Sequence, residues 1–254
     1  AGRSHRRDGK ATCVWPLAGA YSPRPAPHRT YRGKSRHALT LSRIASLVYT
    51  LLVLELLLLV TTAPGVAAMF LLDRDPSNLP LAALCALPLG PAVSATLYAL
   101  HHYRADLTDL HPAAAFWRGY RANLRGVLLL WTPLLVWLTI IGVSLTHRSA
   151  AGVPGWWVGL LGAVGVVLLL WGLNALVITS LFTFRLRDVA RLALYLLPRQ
   201  RGVTLSNASL LVVATGVTVL TSEVVLALLG SVLTGMLLWS ARPLIATVRK
   251  EFTA

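Results

Sequence analysis

Acidic residues are scarce in this chain: nine Asp and Glu among 254 residues, against 24 Lys and Arg. No paired carboxylates occur inside an apolar run, so hydrolase readings lack a nucleophile and base there. Cysteine is scarcer still, with two. Cys13 lies in a basic stretch and Cys85 in an apolar one, which excludes a disulfide framework, a CxxC pair and a thiolate zinc site. No Gly-rich dinucleotide or phosphate loop, G-x-S-x-G or H-E-x-x-H is present. The sequence therefore gives no ground for an enzyme, and no cofactor or metal is expected. His101-His102 has only Asp106 and Asp109 near ligand spacing, and reads as a pair of interfacial histidines snorkelling to headgroups.

What the chain has in abundance is apolar sequence: 56% of residues are hydrophobic and 13% charged, a composition foreign to soluble domains. Nearly all of it sits in five blocks between Ile44 and Trp239. A net charge of +15 would suggest nucleic acid in a soluble protein, but ten of the 24 basic residues precede the first apolar block. Most of the others fall in two loops and the C-terminus. That is the positive-inside distribution, so the expected partner is an anionic inner leaflet and no nucleic acid.

Residues 1–40 carry nine Lys and Arg, four prolines and one acid, Asp8, and are expected to form a disordered basic tail. Arg6-Arg7 does not lead into a signal sequence, because Val14 to Ala20 is short and interrupted by Pro16. The first methionine is Met69, so the recorded start is expected to be misassigned or an upstream extension.

Residues 41–254 form the expected transmembrane domain. Ile44 to Leu72 exceeds the ~20 residues a spanning helix needs, and Pro64-Gly65 is the expected break. Glu55 lies about 16 Å along it at ~1.5 Å per residue, near the middle of a ~30 Å core. After a turn at Asp73 to Asn78, the second span is Leu79 to Tyr103, kinked at Pro88 and Pro91. Its Ala92, Ala95 and Ala99 make a small-residue stripe suited to close helix approach. Gly126 to Leu145 is the third span. Val153 to Leu181 is the fourth, anchored by Trp156-Trp157 and carrying Gly155, Gly159 and Ala163 at four-residue spacing. Leu205 to Trp239 would reach about 52 Å as one helix. It is expected to fold as a hairpin broken near Thr218 to Glu223, with Glu223 at the outer interface. The fold class is thus an all-α polytopic helix bundle: six spans, as three hairpins joined by two amphipathic cytosolic bridges, with both termini in the cytosol.

The bridges are Arg104 to Arg125 and Phe184 to Pro198. In the first, Phe116, Tyr120, Asn123 and Val127 share a helical face, and Arg118, Arg121 and Arg125 form a basic stripe. In the second, Leu186, Val189, Ala190, Ala193 and Leu197 oppose Arg187, Asp188 and Arg191. The expected interaction face is Trp117, Arg118, Tyr120, Arg121, Asn123, Arg125, Arg187 and Arg191. Interfacial anchoring and docking of a cytosolic partner are both open uses of it. Asn207-Ala208-Ser209 has the N-x-S form but reads as a helix cap.

Gly90-Pro91-Ala92 with Ala95 and Ala99, then Phe116-Trp117-x-Gly119-Tyr120-Arg121-x-Asn123 and Trp131, resembles the YesL-like family. This is a family of bacterial integral membrane proteins without an established activity, often encoded beside carbohydrate uptake systems. The resemblance runs from about Thr50 to Arg249 and brings no catalytic residue. It implies an inner-membrane accessory or regulatory component of solute uptake, carbohydrate-linked, with ABC-type importer subunits as partners. Neither bridge carries the Glu-Ala-Ala motif of importer permeases.

The alternative is a transporter or channel in its own right, with a polar path near Glu55 and Asn174. A mid-membrane carboxylate must be paired or face the bundle interior, and Asn174 is the partner expected from its depth. Their pairing reads either as structural or as a place for a ligand, ion or partner. The small-residue faces serve either the bundle or a homo-oligomer.

Overall fold

The computed structural model of the protein describes residues 34–73, 75–103, 111–147, 154–182, 184–220 and 223–252. All regular structure among them is helical. It comprises α1 (Lys34–Phe70), a 3-10 turn (Pro76–Asn78), α2 (Leu79–Cys85), α3 (Leu89–His101), α4 (Pro112–Thr146) and α5 (Trp156–Leu181), then α6 (Leu186–Arg199), α7 (Arg201–Leu220), α8 (Glu223–Leu228), α9 (Gly230–Ser240) and α10 (Arg242–Phe252). Five stretches are long and apolar enough to cross a membrane, and a sixth if α9 and α10, bent by 48°, are counted together. The chain is a multi-pass, all-α membrane protein.

The bundle is built around α3, which packs against α1, α4, α5 and α9. Ala92, Ala95 and Ala99 are buried, so the first small-residue stripe lets the neighbouring helices close in. Glycines and aromatics set the α3–α4 contact. A Cβ on Gly90 would lie 2.7 Å from the Trp131 ring, and one on Gly119 would lie 2.7 Å from Tyr98. α4 then runs antiparallel along α5, with Gly126 against Thr179, Gly172 against Leu134 and Gly165 near Ile141. The second stripe differs: Gly155 and Gly159 meet nothing within 4 Å, and Ala163 is exposed.

α1 begins at Lys34, inside the stretch expected to be a tail, and it runs through Pro64 without the expected break. Proline is tolerated in a membrane helix where neighbours compensate. Gly65 serves instead as a contact point, because a Cβ there would lie 2.1 Å from the Cys85 carbonyl oxygen. The second span is interrupted between α2 and α3 at Ala86 to Pro88, as expected at Pro88, while Pro91 lies inside α3. The Trp131 indole N–H donates to the Ala86 carbonyl there at 3.1 Å.

The first bridge also differs from expectation. Residues 104–110 lie outside the described residues, and from Pro112 the bridge and the third span are one 35-residue helix. Its first turns do not lie apart from the bundle: Phe116 is fully buried with Leu54, Ala95 and Ala99. The second bridge is a separate helix, α6, with Val189, Ala193 and Leu196 buried, and it is tied to α5 by the Trp171 indole donating to the Ala190 carbonyl at 3.0 Å.

The last apolar block is interrupted where expected: α7 ends at Leu220 and α8 opens at Glu223, while Thr221, Ser222 and the side chain of Glu223 lie outside the described residues. The return limb is broken again at Leu229 and bends at Ala241. α9 reaches the core and packs on α1 and α3. α10 is amphipathic, burying Leu244, Ile245 and Val248, and it meets the end of α6 through Gln200, whose amide donates to Thr247 Oγ1 at 3.0 Å.

Candidate functional site

The break at Leu229 leaves α9 to start inside the bundle. The first N–H groups of any helix have no partner within it, and Leu229 at the N-cap position offers no side-chain acceptor. Glu55 supplies one from α1. Its Oε2 accepts the Ser231 backbone N–H at 2.7 Å, and the positive end of the α9 dipole favours a carboxylate in this place. Gly230 makes room, since a Cβ there would stand 3.2 Å from Leu58 and 3.5 Å from Glu55 Oε1. Glu55 is 9% exposed. Its second oxygen, Oε1, is the one buried side-chain polar atom among the described residues without a hydrogen-bond partner.

Asn174 does not pair with Glu55. Its Oδ1 accepts from Asn207 Nδ2 at 3.0 Å, and Asn207 Oδ1 accepts from the Ser240 hydroxyl at 3.1 Å. The chain Asn174–Asn207–Ser240 ties α5, α7 and the end of α9 together. Asn207 is both donor and acceptor in this chain, as an amide can be, whereas Glu55 is taken by a backbone N–H. Asn207 is neither a cap nor a surface sequon: α7 starts at Arg201, which puts Asn207 inside the helix and fully buried. The spacing of Val203 and Asn207, one helical turn, marks the face that the sequence reading missed.

A second closed set joins α3 and α5, where the Ser94 and Ser180 hydroxyls are 2.8 Å apart. Asn123 belongs to it rather than to the surface, because its amide donates to the Ser180 carbonyl at 3.1 Å. That carbonyl lies in the last turn of α5, where carbonyls lack helical partners. Tyr120 is also turned partly inward, stacked on Phe116 with ring centroids 6.1 Å apart.

The remaining face residues stay outside. Trp117 is 41% exposed, and Arg118, Arg121, Arg125, Arg187 and Arg191 are exposed. Among the described residues, none of these five arginines makes an ion pair; the one present joins Arg199 to Glu251 at 3.9 Å. α4 and α6 touch. His101 and His102 are exposed at the end of α3, and the described residues hold no group of three or more metal-ligating side chains. Asp106 and Asp109 lie outside the described residues.

No family model matches the chain, and neither the curated proteins nor the solved structures searched contain a match.

Proposed function

We propose that this protein is a non-enzymatic accessory component of solute uptake in the bacterial inner membrane, presenting a basic cytosolic surface to a partner. One observation carries the reading: five exposed arginines of α4 and α6, without an ion pair among the described residues, stand outside a bundle whose buried polar side chains, Glu55 excepted, bond either one another or carbonyls of their own helix. Asn174, Asn207 and Ser240 form one closed set, and Ser94, Ser180 and Asn123 another. Such interiors hold helices together and leave few groups to line a hydrophilic path. Carbohydrate as the solute class, and an ABC-type importer subunit as the partner, rest on the YesL-like resemblance alone. The orientation follows the Lys and Arg bias.

The second reading, a transporter in its own right, has one specific observation in its favour. Glu55 sits at a helix start inside the bundle with one oxygen unpartnered, and broken helices with polar ends are where transporters place their sites.

Purification in mild detergent separates the two. Co-purification of an ATPase or permease subunit, lost when Arg118, Arg121 and Arg125 are replaced by Glu at unchanged membrane yield, supports the accessory reading. A lone protein that moves labelled sugar into liposomes supports the transporter. In a variant without Cys13 and Cys85, a cysteine at Ala254 should resist membrane-impermeant thiol reagents in intact cells. One at Ser222 should react.

A further inference from the structure

α1, α3, α9 and α10 do not close completely against one another. Two adjoining cavities of about 380 and 480 Å³ run between them and share Leu100, Tyr103, Gly235, Leu238, Trp239 and Arg242. One end of this cleft is apolar, walled by Leu47 and Leu51 of α1 and Val232 and Met236 of α9. The other end is basic, lined by Arg242, Arg249 and His101. Its floor is open because position 235 has no side chain.

Two features fix what chemistry suits it. Trp239, in the last turn of α9, is 67% exposed, and an exposed tryptophan at a helix end marks the headgroup level of a bilayer. Arg242 therefore stands just beyond the acyl region, at the level of lipid phosphates. Arg242 and Arg249 are two turns apart on α10, on the same side of the helix, and both are exposed. An apolar slot whose other end is lined by two arginines at headgroup height is complementary to an amphiphile with an anionic head. Basic pockets of this kind between membrane helices take anionic lipid headgroups, and guanidinium binds phosphate oxygens with two parallel hydrogen bonds.

We infer that the cleft between α1, α3, α9 and α10 is a binding site for an anionic glycerophospholipid. One acyl chain lies between Leu47 and Met236, and the phosphate sits between Arg242 and Arg249. The site adds a specific lipid seat to the general attraction of a basic surface for an anionic leaflet, and it lies on different helices from the arginines of α4 and α6.

The test uses the full chain in detergent, with thermal unfolding and native mass spectrometry in the presence of phosphatidylglycerol, phosphatidylcholine or soluble glycerol 3-phosphate. Phosphatidylglycerol should bind and stabilise, phosphatidylcholine should do so much less, and glycerol 3-phosphate should have no effect at the same concentration. In R242Q/R249Q the preference for phosphatidylglycerol should fall roughly 25-fold, about fivefold for each basic residue lost at a membrane surface. R118Q/R121Q, on α4, should keep it. Gly235→Leu fills the floor of the cleft, where an added Cβ meets Leu100 only at 3.8 Å. It should weaken phosphatidylglycerol binding with the charges intact, and so decides the matter if R242Q/R249Q does not fold. Equal responses to the two lipids overturn the proposal, as does an undiminished preference in Gly235→Leu or in folded R242Q/R249Q. A response to glycerol 3-phosphate equal to that with phosphatidylglycerol overturns the lipid in favour of a simple anion site. No response to any additive overturns the proposal as well.

Discussion

α3 and α7 are both apolar helices of the same bundle, yet they are held in different ways. Eight of the 13 residues of α3 are buried, against two of the 20 in α7. α3 is fixed mainly by shape, through its alanines, Gly90 against Trp131 and Tyr98 against Gly119, with the Ser94–Ser180 hydroxyl pair as a polar tie to α5. The limb from α7 to α9 is fixed at points, by the Asn174–Asn207–Ser240 chain at one place and the Glu55–Ser231 bond at another. Where helices fit closely, small residues and dispersion do most of the holding and a polar tie such as Ser94–Ser180 adds to it; where a limb is broken and loosely covered, buried polar groups locate it.

The contrast is broken most strongly by spoiling the fit. Gly90→Ala or Gly119→Ala drives a methyl to 2.7 Å from an aromatic side chain, and overpacking of this kind costs about 1–3 kcal/mol. Both variants should lose detergent-stable yield and show lowered unfolding temperatures. Next comes Asn207→Leu, which leaves the Asn174 amide oxygen without a donor in an apolar interior. A loss of about 1–2 kcal/mol is expected, between the values for membrane hydrogen bonds and for an unsatisfied buried group. Asn207→Gln should recover part of it. The smallest effect belongs to Gly159→Ala, whose added methyl meets nothing within 4 Å. It should be neutral or stabilise by about 0.5–1 kcal/mol, the glycine cost in a helix interior. A shift in oligomeric state on gel filtration would instead mean that this exposed glycine face is used between copies.

Much of this architecture was legible in the sequence because hydropathy and length are local. The apolar runs gave the spans, the polar cluster from Thr218 to Glu223 gave the end of α7 at Leu220, and the helical period gave the buried face of α6. What was not legible depends on contacts between distant segments. Glu55 and its partner Ser231 are 176 residues apart, and nothing near either names the other. Depth along separate helices suggested Asn174 for Glu55, but depth gives no azimuth, and Asn207 faced Asn174 instead. Asn123 read as a surface residue because its face also carries Tyr120, yet the end of α5 supplied a carbonyl needing a donor. Pro64 misled because a proline marks a break only where no neighbouring helix supports the chain, while Gly65 records how close that neighbour comes.

Glu55 holds the start of α9 to α1 through the Ser231 N–H, and the place of the return limb depends on that bond. Replacing it by Leu removes the acceptor and leaves the Ser231 N–H buried without a partner, a loss of about 1–3 kcal/mol; Gln keeps a carbonyl for that bond. Hydrogen–deuterium exchange on the full chain in nanodiscs reads the result segment by segment. In Glu55→Leu, protection should fall in α8 and α9 while α3 and the first half of α4 exchange as in the wild type, and Glu55→Gln should restore most of the α9 protection. Unchanged α9 protection in Glu55→Leu, or a loss spread evenly over α3, α4 and α9, would contradict the account.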